Sequence, residues 1–415
     1  MSKVIIERSL PRGKIKIPSS KSDAHRKIIA SCLCFDQTSI IDNVDLSNDI
    51  LATIEAMKHF ADIEIVRNQL IIKSKNHLDK EASFNANESG STIRFLIPLF
   101  SHFFQKTTIY GSKRLLERPL SIYQEIYQDG ILISDKVLIN KKLLPGEYVI
   151  SGNVSSQFIS GLLFVLPLLN GDSTIYITGQ YESKSYVDLT IAVLKEFQIE
   201  IVELENAYQI KGNQKYQSIN TIVEGDYSQL AFFSFLGLIN SDVEVTNLNK
   251  KSMQGDMKLI EILRSLNANI IDTKDGYIFK KSQLKGNVID LKDNPDLGPC
   301  LFAMALFCEG QTKFINTQRL KIKESDRILS MQDELLKFQV KMDVFDNQVI
   351  INKQKIKTPK EILNSHNDHR IFMTLTVLST LVEKAVIDDV QCVNKSYPKF
   401  LDDLFALGVK GEVYD

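Results

Sequence analysis

The sequence predicts an α/β protein of two domains, each built from three similar units. Three observations carry the prediction. Six short polar turns each lead straight into an apolar helical run, and their starts recur roughly every 65–75 residues, the size of a supersecondary unit. Between them fall β-like runs such as QLIIKS, STIYITG, DVEVTNL and NQVIINK, together with second helices such as SMQGDMKLIEILRSLNA. Finally, 415 residues exceed what a single core usually organises, yet no low-complexity linker divides the chain.

PSSKSDAHRKIIASCL opens the series, with Pro18, Ser19 and Ser20 as a helix entrance and Ile28, Ile29, Leu33 and Phe35 as the apolar face behind it. NESGSTIRFLIPLF, GNVSSQFISGLLFVLPLL, GDYSQLAFFSFLGLI, NPDLGPCLFAMALF and SHNDHRIFMTLTVLS repeat the layout. Runs so strongly apolar are expected to be buried. Ser325 or Asp326 is placed to cap the helix RILSMQDELLKF. The candidate crossovers between domains are the turn near Gly13–Pro18 and the VEGD turn at Val223–Asp226.

Composition excludes several classes. Hydrophobic content of 44% and charged content of 24% are those of an ordinary globular protein. A net charge of −1 supplies no global field, and zero Trp removes one of the residues that stack on bases, so no nucleic-acid partner is expected and an end-binding protein is disfavoured. Five cysteines without a CxxC argue against a disulfide framework or a zinc ribbon; Cys32, Cys300 and Cys308 read as small buried hydrophobes within helical patterns. MSKVIIERSLPRGKIKIP has no signal-peptide core, and FISGLLFVLPLL is too short to span a bilayer and contains Pro167. A soluble cytoplasmic protein with no membrane association is expected.

The charges at the helix entrances are unusual. A first turn exposes free N–H groups and carries partial positive charge, so it favours Asp and Glu. Here Lys21 and Arg26 follow the first entrance, Arg94 the second, and His369 and Arg370 the sixth. Lys323 and Arg327 flank ESD, Arg118 precedes a proline in RLLERPL, and Lys395 precedes SYP. Cations are tolerable at such positions if an anion completes the site. The repeated layout therefore points to a ligand with more than one phosphate or carboxylate. No GxxxxGK[ST] loop and no GxGxxG after a strand occurs, so a nucleotide is not the default ligand. His366 and His369 with Asp368 form only a weak metal pattern without a further ligand cluster, and no metal is expected.

SKSDAHR, SGSTIR, LLERPL, GNVSSQF, VEGDYS, SMQGDM, Pro295-Asp296, KIKESDR, NDHR and KSYPKF resemble, in order and approximate spacing, the motif series of the 5-enolpyruvylshikimate-3-phosphate synthase family. The match runs from Lys21 to Phe400. The resemblance implies two inside-out α/β domains, each of three βαβαββ repeats. The first domain would span 14–224, and the second 1–13 with 225–415. A double crossover hinge would lie near 14–21 and 223–226, the N-terminal strand belonging with the C-terminal half.

By the same resemblance the chain transfers the enolpyruvyl group of phosphoenolpyruvate to the 5-hydroxyl of shikimate 3-phosphate and releases phosphate, with no cofactor, as a monomer. Lys21, Ser22 and Arg26 would hold shikimate 3-phosphate with Ser155, Ser156, Gln157, Ser183 and Tyr186, while Asp296 and Lys323 contact the ring hydroxyls. Lys21, Gly90, Arg118, Gln157, Arg327, Arg370 and Lys395 would hold phosphoenolpyruvate. Asp296 would be the base and Glu324 the acid that protonates the methylene carbon, with Lys21 and His369 in support. The resemblance also implies inhibition by glyphosate where position 90 is glycine.

Departures from the family pattern are Glu88 before the SGS turn, Arg319 and Leu320 where Asn and Trp are common, and PDLGPC after the aspartate position. The nearest rival, the enolpyruvyl transferase acting on UDP-N-acetylglucosamine, usually carries a reactive cysteine in the loop corresponding to GSKRLLERPL. No cysteine lies between Cys34 and Cys300, and KESDR with NDHR favours the shikimate branch.

Overall fold

Five of the six entrances are capped as their local sequence dictates. Ser20, Ser89, Ser155, Asp226 and Asp368 lie in extended backbone, and each accepts a backbone N–H from the first turn of the helix it opens. The helices are Lys21–Cys32, Gly90–Phe103, Ser156–Val165, Tyr227–Phe235 and His369–Ser379. The fifth entrance differs. A 3₁₀ turn over Pro295–Leu297 runs into Gly298–Ala305 without a side-chain cap, and Pro299 in the first turn removes one N–H that would otherwise need a partner. Of the two proposed caps for the helix Arg327–Lys337, Asp326 takes the role.

The computed structural model describes residues 2–414, which separate into two units, 19–223 and the remainder from either side of it. In the first unit the helices Lys21–Cys32, Gly90–Phe103 and Ser156–Val165 form the buried centre. In the second, Tyr227–Phe235, Gly298–Ala305 and His369–Ser379 are buried at every position. Helices apolar on all sides need cover on all sides, and the sheets provide it. Strands such as Gln348–Asn352 alternate between buried and partly exposed residues, one face inward. The helices are inside and the sheets outside.

Five of the six sheets share one pairing plan, a parallel pair extended by an antiparallel hairpin. In the first unit the plan is seen in Glu81–Asn85, Lys106–Tyr110, Val137–Ile139 and Ile131–Ile133, and again in Glu147–Ser151, Ser173–Thr178, Ala207–Ile210 and Ile201–Leu204. Its remaining sheet takes the edge strand Asn220–Ile222 from the far end of the unit to pair with Thr38–Asp42. In the second unit the last sheet is completed by the chain's beginning. Lys3–Glu7 pairs antiparallel with both Lys384–Ile387 and Lys410–Tyr414, and a single parallel bridge from Leu363 to Ile387 stands where the parallel edge strand would be.

One boundary moves. Residues 14–18 were expected with the first domain, and Gly13–Pro18 was read as a turn. Gly13–Lys16 is instead a strand in parallel register with Val243–Thr246, so its ladder hydrogen bonds and the buried Ile15 tie it to the second unit, and the first begins at Ser19. Both passages of the chain between units then follow one rule: a sheet-edge strand in one unit continues into a buried helix of the other.

All five cysteines are buried, though Cys308 lies beyond its helix rather than in it. Burial pushes the thiols of Cys34 and Cys308 up to about 12 and about 11. Among the described residues no helix is long and apolar enough to cross a membrane. Leu320 and PDLGPC, two departures from the family pattern, explain each other. A Cβ on Gly298 would lie 2.4 Å from Leu320 Cδ2, so the missing side chain is what seats the fully buried leucine.

Candidate active site

The residues singled out by the sequence fall into two sets, one in each unit. In the unit 19–223, Lys21 begins the first buried helix and donates from Nζ to Asp49 Oδ2 at 2.7 Å. Arg26, only 3% exposed, has protein acceptors on all three nitrogens. Nε donates to Thr190 Oγ1 at 2.8 Å, Nη1 to the Ser22 carbonyl at 2.7 Å and Nη2 to the Tyr186 carbonyl at 2.9 Å. The Phe95 ring lies 5.0 Å from its Cζ. Burial lowers the Arg26 pKa to about 10, which leaves the guanidinium charged at neutral pH.

Gln157 is fixed from both sides of its amide. Its Oε1 accepts from Arg94 Nη1 at 2.8 Å and from Ser155 Oγ at 3.3 Å, and its Nε2 donates to Ser91 Oγ at 2.9 Å. Arg94, noted in the sequence only as a misplaced cation, is thus the residue that orients Gln157. Ser156 is buried in the first turn beside it. Ser183 heads the helix Lys184–Glu196 in left-handed backbone, φ 54°, a conformation that costs a non-glycine residue and marks a position held by its surroundings. Gly90 and Arg118 meet directly: a Cβ at position 90 would stand 2.7 Å from Arg118 Nη1.

The second unit gathers Asp296, Lys323, Glu324, Arg327 and Arg370 around one guanidinium. Arg327 is 1% exposed. Its Nη1 donates to Asp296 Oδ1 at 2.7 Å, Nη2 to Glu324 Oε2 at 2.8 Å, and Nε to Asp368 Oδ2 at 2.8 Å. Lys323 Nζ adds a bond to Asp296 Oδ1 at 3.0 Å, and Arg370 Nη2 stands 3.7 Å from Asp296 Oδ2. Arg370 is itself held by Ser228, through its carbonyl at 3.1 Å and its Oγ at 2.7 Å. His369 is buried as the first residue of its helix, and Lys395 Nζ donates to the Asn367 carbonyl at 2.6 Å.

These contacts set the charge states. Burial alone would raise the Asp296 pKa, but Lys323, Arg327 and Arg370 together hold it well below the usual carboxylate range. Burial also presses Lys323 below the usual lysine value, against the pull of Asp296. The three carboxylates around Arg327 raise its pKa further, so it is permanently charged. Among the described residues, no three His, Cys, Asp or Glu side chains are grouped to hold a metal ion.

Sequence reasoning missed Asp49, Asp368 and Asp256 as partners. Asp368 and Asp256 lie inside the quoted motifs NDHR and SMQGDM, but their importance comes from burial, which a motif does not display. Asp256 is buried and accepts from Asn294 Nδ2 at 3.1 Å. Burial, followed by the nearby Asp296 charge, raises its pKa to about 6. The folded chain therefore binds a proton there that the unfolded chain, near 3.8, does not. Between those values stability falls as pH rises, and above about 6 the full cost of the buried charge is present. Asp256→Asn keeps the acceptor for Asn294 and removes that cost. We expect it to raise the melting temperature at pH 7.5, by an equivalent of up to about 3 kcal/mol, and to have little effect at pH 4. Equal effects at both pH values would show that Asp256 is not protonated in the folded chain near pH 4–6. Asp296 works in the opposite sense: its contribution is present above the ordinary carboxylate pKa and is lost as pH falls towards its depressed folded value.

Fold and site define a class: an α/β protein of repeated units with buried cation–carboxylate clusters at the heads of its central helices, suited to proton transfer beside anionic groups. Comparison makes the class particular. The sequence profile of EPSP synthase (3-phosphoshikimate 1-carboxyvinyltransferase) matches residues 8–404. A 3-phosphoshikimate 1-carboxyvinyltransferase of Clostridium perfringens (strain 13 / Type A) is 42% identical over 422 aligned positions, covering 98% of this chain and 99% of the relative. Its counterpart in Brachyspira hyodysenteriae is 38% identical, covering 96% and 97%. The fold is shared with an EPSP synthase from Acinetobacter baumannii, TM-score 0.83 at 22% identity with both chains fully covered. It is shared also with the enolpyruvyl transferase NikO from Streptomyces tendae, TM-score 0.80 at 12% identity and 99% coverage of each. The chain belongs to the EPSP synthase family.

Proposed function

We propose that this chain joins phosphoenolpyruvate and shikimate 3-phosphate, transferring the enolpyruvyl group to the 5-hydroxyl and releasing phosphate. The observation that carries the reading is Arg327, which bonds Asp296 and Glu324 at once. Two carboxylates tied to one guanidinium but otherwise differently surrounded can divide acid and base work. Lys21, Ser22, Arg26, Ser155, Ser156, Gln157, Ser183 and Tyr186 form the binding set for shikimate 3-phosphate, with Asp296 and Lys323 on the ring hydroxyls. Lys21, Gly90, Arg118, Gln157, Arg327, Arg370 and Lys395 serve phosphoenolpyruvate. The protein acts as a cytoplasmic monomer on small molecules, without nucleic acid or membrane.

In the addition step Asp296 accepts the proton of the 5-hydroxyl as its oxygen bonds to C2 of phosphoenolpyruvate, and Glu324 gives a proton to C3. Elimination then returns a C3 proton to Glu324 while the C2–O bond to phosphate breaks, and the departing phosphate takes the proton that Asp296 had accepted, which restores both carboxyl groups. Held by three cations, Asp296 is a weak base. An anion that engages Lys323 and Arg370 draws their charge away and raises its basicity, so the base is armed by the substrates. Lys21 and His369 support these transfers, and the cations stabilise the departing phosphate.

The test is phosphate release with each substrate alone and with both together. Release only with both supports the proposal. Release from phosphoenolpyruvate with UDP-N-acetylglucosamine in place of shikimate 3-phosphate would replace it.

Gly90 supplies a sharper check. A methyl at this position must displace the Arg118 guanidinium, the far end of a long side chain. The shifted guanidinium still reaches a short ligand, whereas a longer one loses room. Glyphosate is expected to compete with phosphoenolpyruvate, and Gly90→Ala to raise its inhibition constant more than the phosphoenolpyruvate KM, by a factor equivalent to about 1–3 kcal/mol. A wild-type enzyme indifferent to millimolar glyphosate, yet saturable by phosphoenolpyruvate, would sink this and point to Glu88.

A further inference from the structure

Thr190 takes no part in the reaction described above, yet it sits where three helices meet. Its Oγ1, fully buried, lies 2.8 Å from Arg26 Nε on Lys21–Cys32, 2.7 Å from Ser160 Oγ on Ser156–Val165, and 3.0 Å from the Tyr186 carbonyl on its own helix Lys184–Glu196. The hydrogens can be assigned. The guanidinium only donates, so Thr190 accepts from Arg26. Its single hydrogen goes to the Tyr186 carbonyl, and Ser160, also fully buried, therefore donates to it. The hydroxyl thus uses its one hydrogen and both lone pairs, and its position is determined from three directions.

The three helices joined at this oxygen, with their caps, carry every first-unit residue assigned to shikimate 3-phosphate. Lys21 and Ser22 open one, Ser155, Ser156 and Gln157 open the next, and Ser183 and Tyr186 open the third. The same bond orients Arg26. A guanidinium has five N–H donors, and Thr190, the Ser22 carbonyl and the Tyr186 carbonyl take three. That leaves one N–H on each terminal nitrogen for a ligand anion. With Nε anchored and Phe95 beneath the plane, the fork has one orientation.

We propose that Thr190 is a positioning residue for shikimate 3-phosphate: it holds Arg26 in its ligand-binding orientation. The proposal rests on the reading of Arg26 as a shikimate 3-phosphate ligand. Thr190→Val preserves shape and leaves the Arg26 Nε–H buried without an acceptor, whereas Thr190→Ser keeps the hydroxyl.

The experiment is steady-state kinetics with each substrate varied at saturating levels of the other, alongside melting temperatures. Thr190→Val is expected to raise the KM for shikimate 3-phosphate roughly tenfold, the worth of one charge-assisted hydrogen bond, with the phosphoenolpyruvate KM within about twofold of wild type. Thr190→Ser is expected to return the value to within about twofold of wild type. If the valine variant does not fold, Thr190→Ala carries the same expectation. Arg26→Gln separates the two levels of the argument. If it raises the shikimate 3-phosphate KM while Thr190→Val and Thr190→Ala do not, Thr190 only fills space and the proposal is wrong. If Arg26→Gln leaves that KM unchanged, Arg26 is not a ligand, and the parent assignment falls together with the proposal. A loss of melting temperature with both KM values unchanged overturns it as well, because a purely structural role would do just that.

Discussion

Arg327→Met is expected to cost about 3–5 kcal/mol of folding stability, the penalty for removing one partner from a buried ion pair. The guanidinium is 1% exposed and neutralises Asp368, which is fully buried, together with parts of Asp296 and Glu324. Methionine matches the length of the stem but offers none of the donors. Asp368 keeps Ser325 Oγ at 3.1 Å and the Arg370 backbone N–H at 2.8 Å, which are too few to hold a buried charge. Asp296 loses one of the three cations that hold its pKa down, so part of the deficit should shrink as pH falls from 7 to 4, through the ordinary carboxylate range. Urea titration at the two pH values measures both parts. Arg327→Lys separates charge from geometry: one ammonium cannot serve three carboxylates, so it should recover only a fraction of the loss. A loss below about 1 kcal/mol for Arg327→Met would mean that water or another cation replaces the guanidinium, and the central role given to Arg327 would be mistaken.

Glu324→Gln should lower kcat by roughly two or more orders of magnitude, the usual contribution of a positioned general acid or base, while the affinity for shikimate 3-phosphate changes little. Glutamine preserves the shape and can still accept from Arg327 Nη2 through its amide oxygen, so the cluster should stay assembled. What it lacks is a proton to give to C3. Single-turnover measurement with bound substrate reads the chemical step directly. If affinity collapses while turnover of bound substrate survives, Glu324 is a binding residue. If turnover survives here but is lost in His369→Gln, the acid is the buried imidazole at the head of the helix His369–Ser379.

Much of the fold was legible because its causes are local. A Ser or Asp side chain caps the helix beginning at the next residue, so Ser20, Ser89, Ser155, Asp226 and Asp368 announce their helices within a few positions. An apolar run such as AFFSFLGLI declares its own burial, and repetition six times over declares the architecture. Gly13–Lys16 was misread for the complementary reason. A short strand with one apolar residue carries no mark of its partner, and its parallel pairing with Val243–Thr246 is settled only when distant chain is brought beside it.

The site divides in the same way. The repeated α/β units, the family, and the cations and carboxylates at the helix heads could be read along the chain, since these depend on residue type and on spacing within one element. How those charges pair is fixed by folding alone. Lys21 meets Asp49, Arg94 orients Gln157, and Arg327 joins Asp296 and Glu324 to Asp368. Burial with a neighbouring charge raises Asp256, and three cations lower Asp296. The physical reason is that electrostatic energy depends on distance in space and on exclusion of water, and neither quantity is written in the order of residues along the chain.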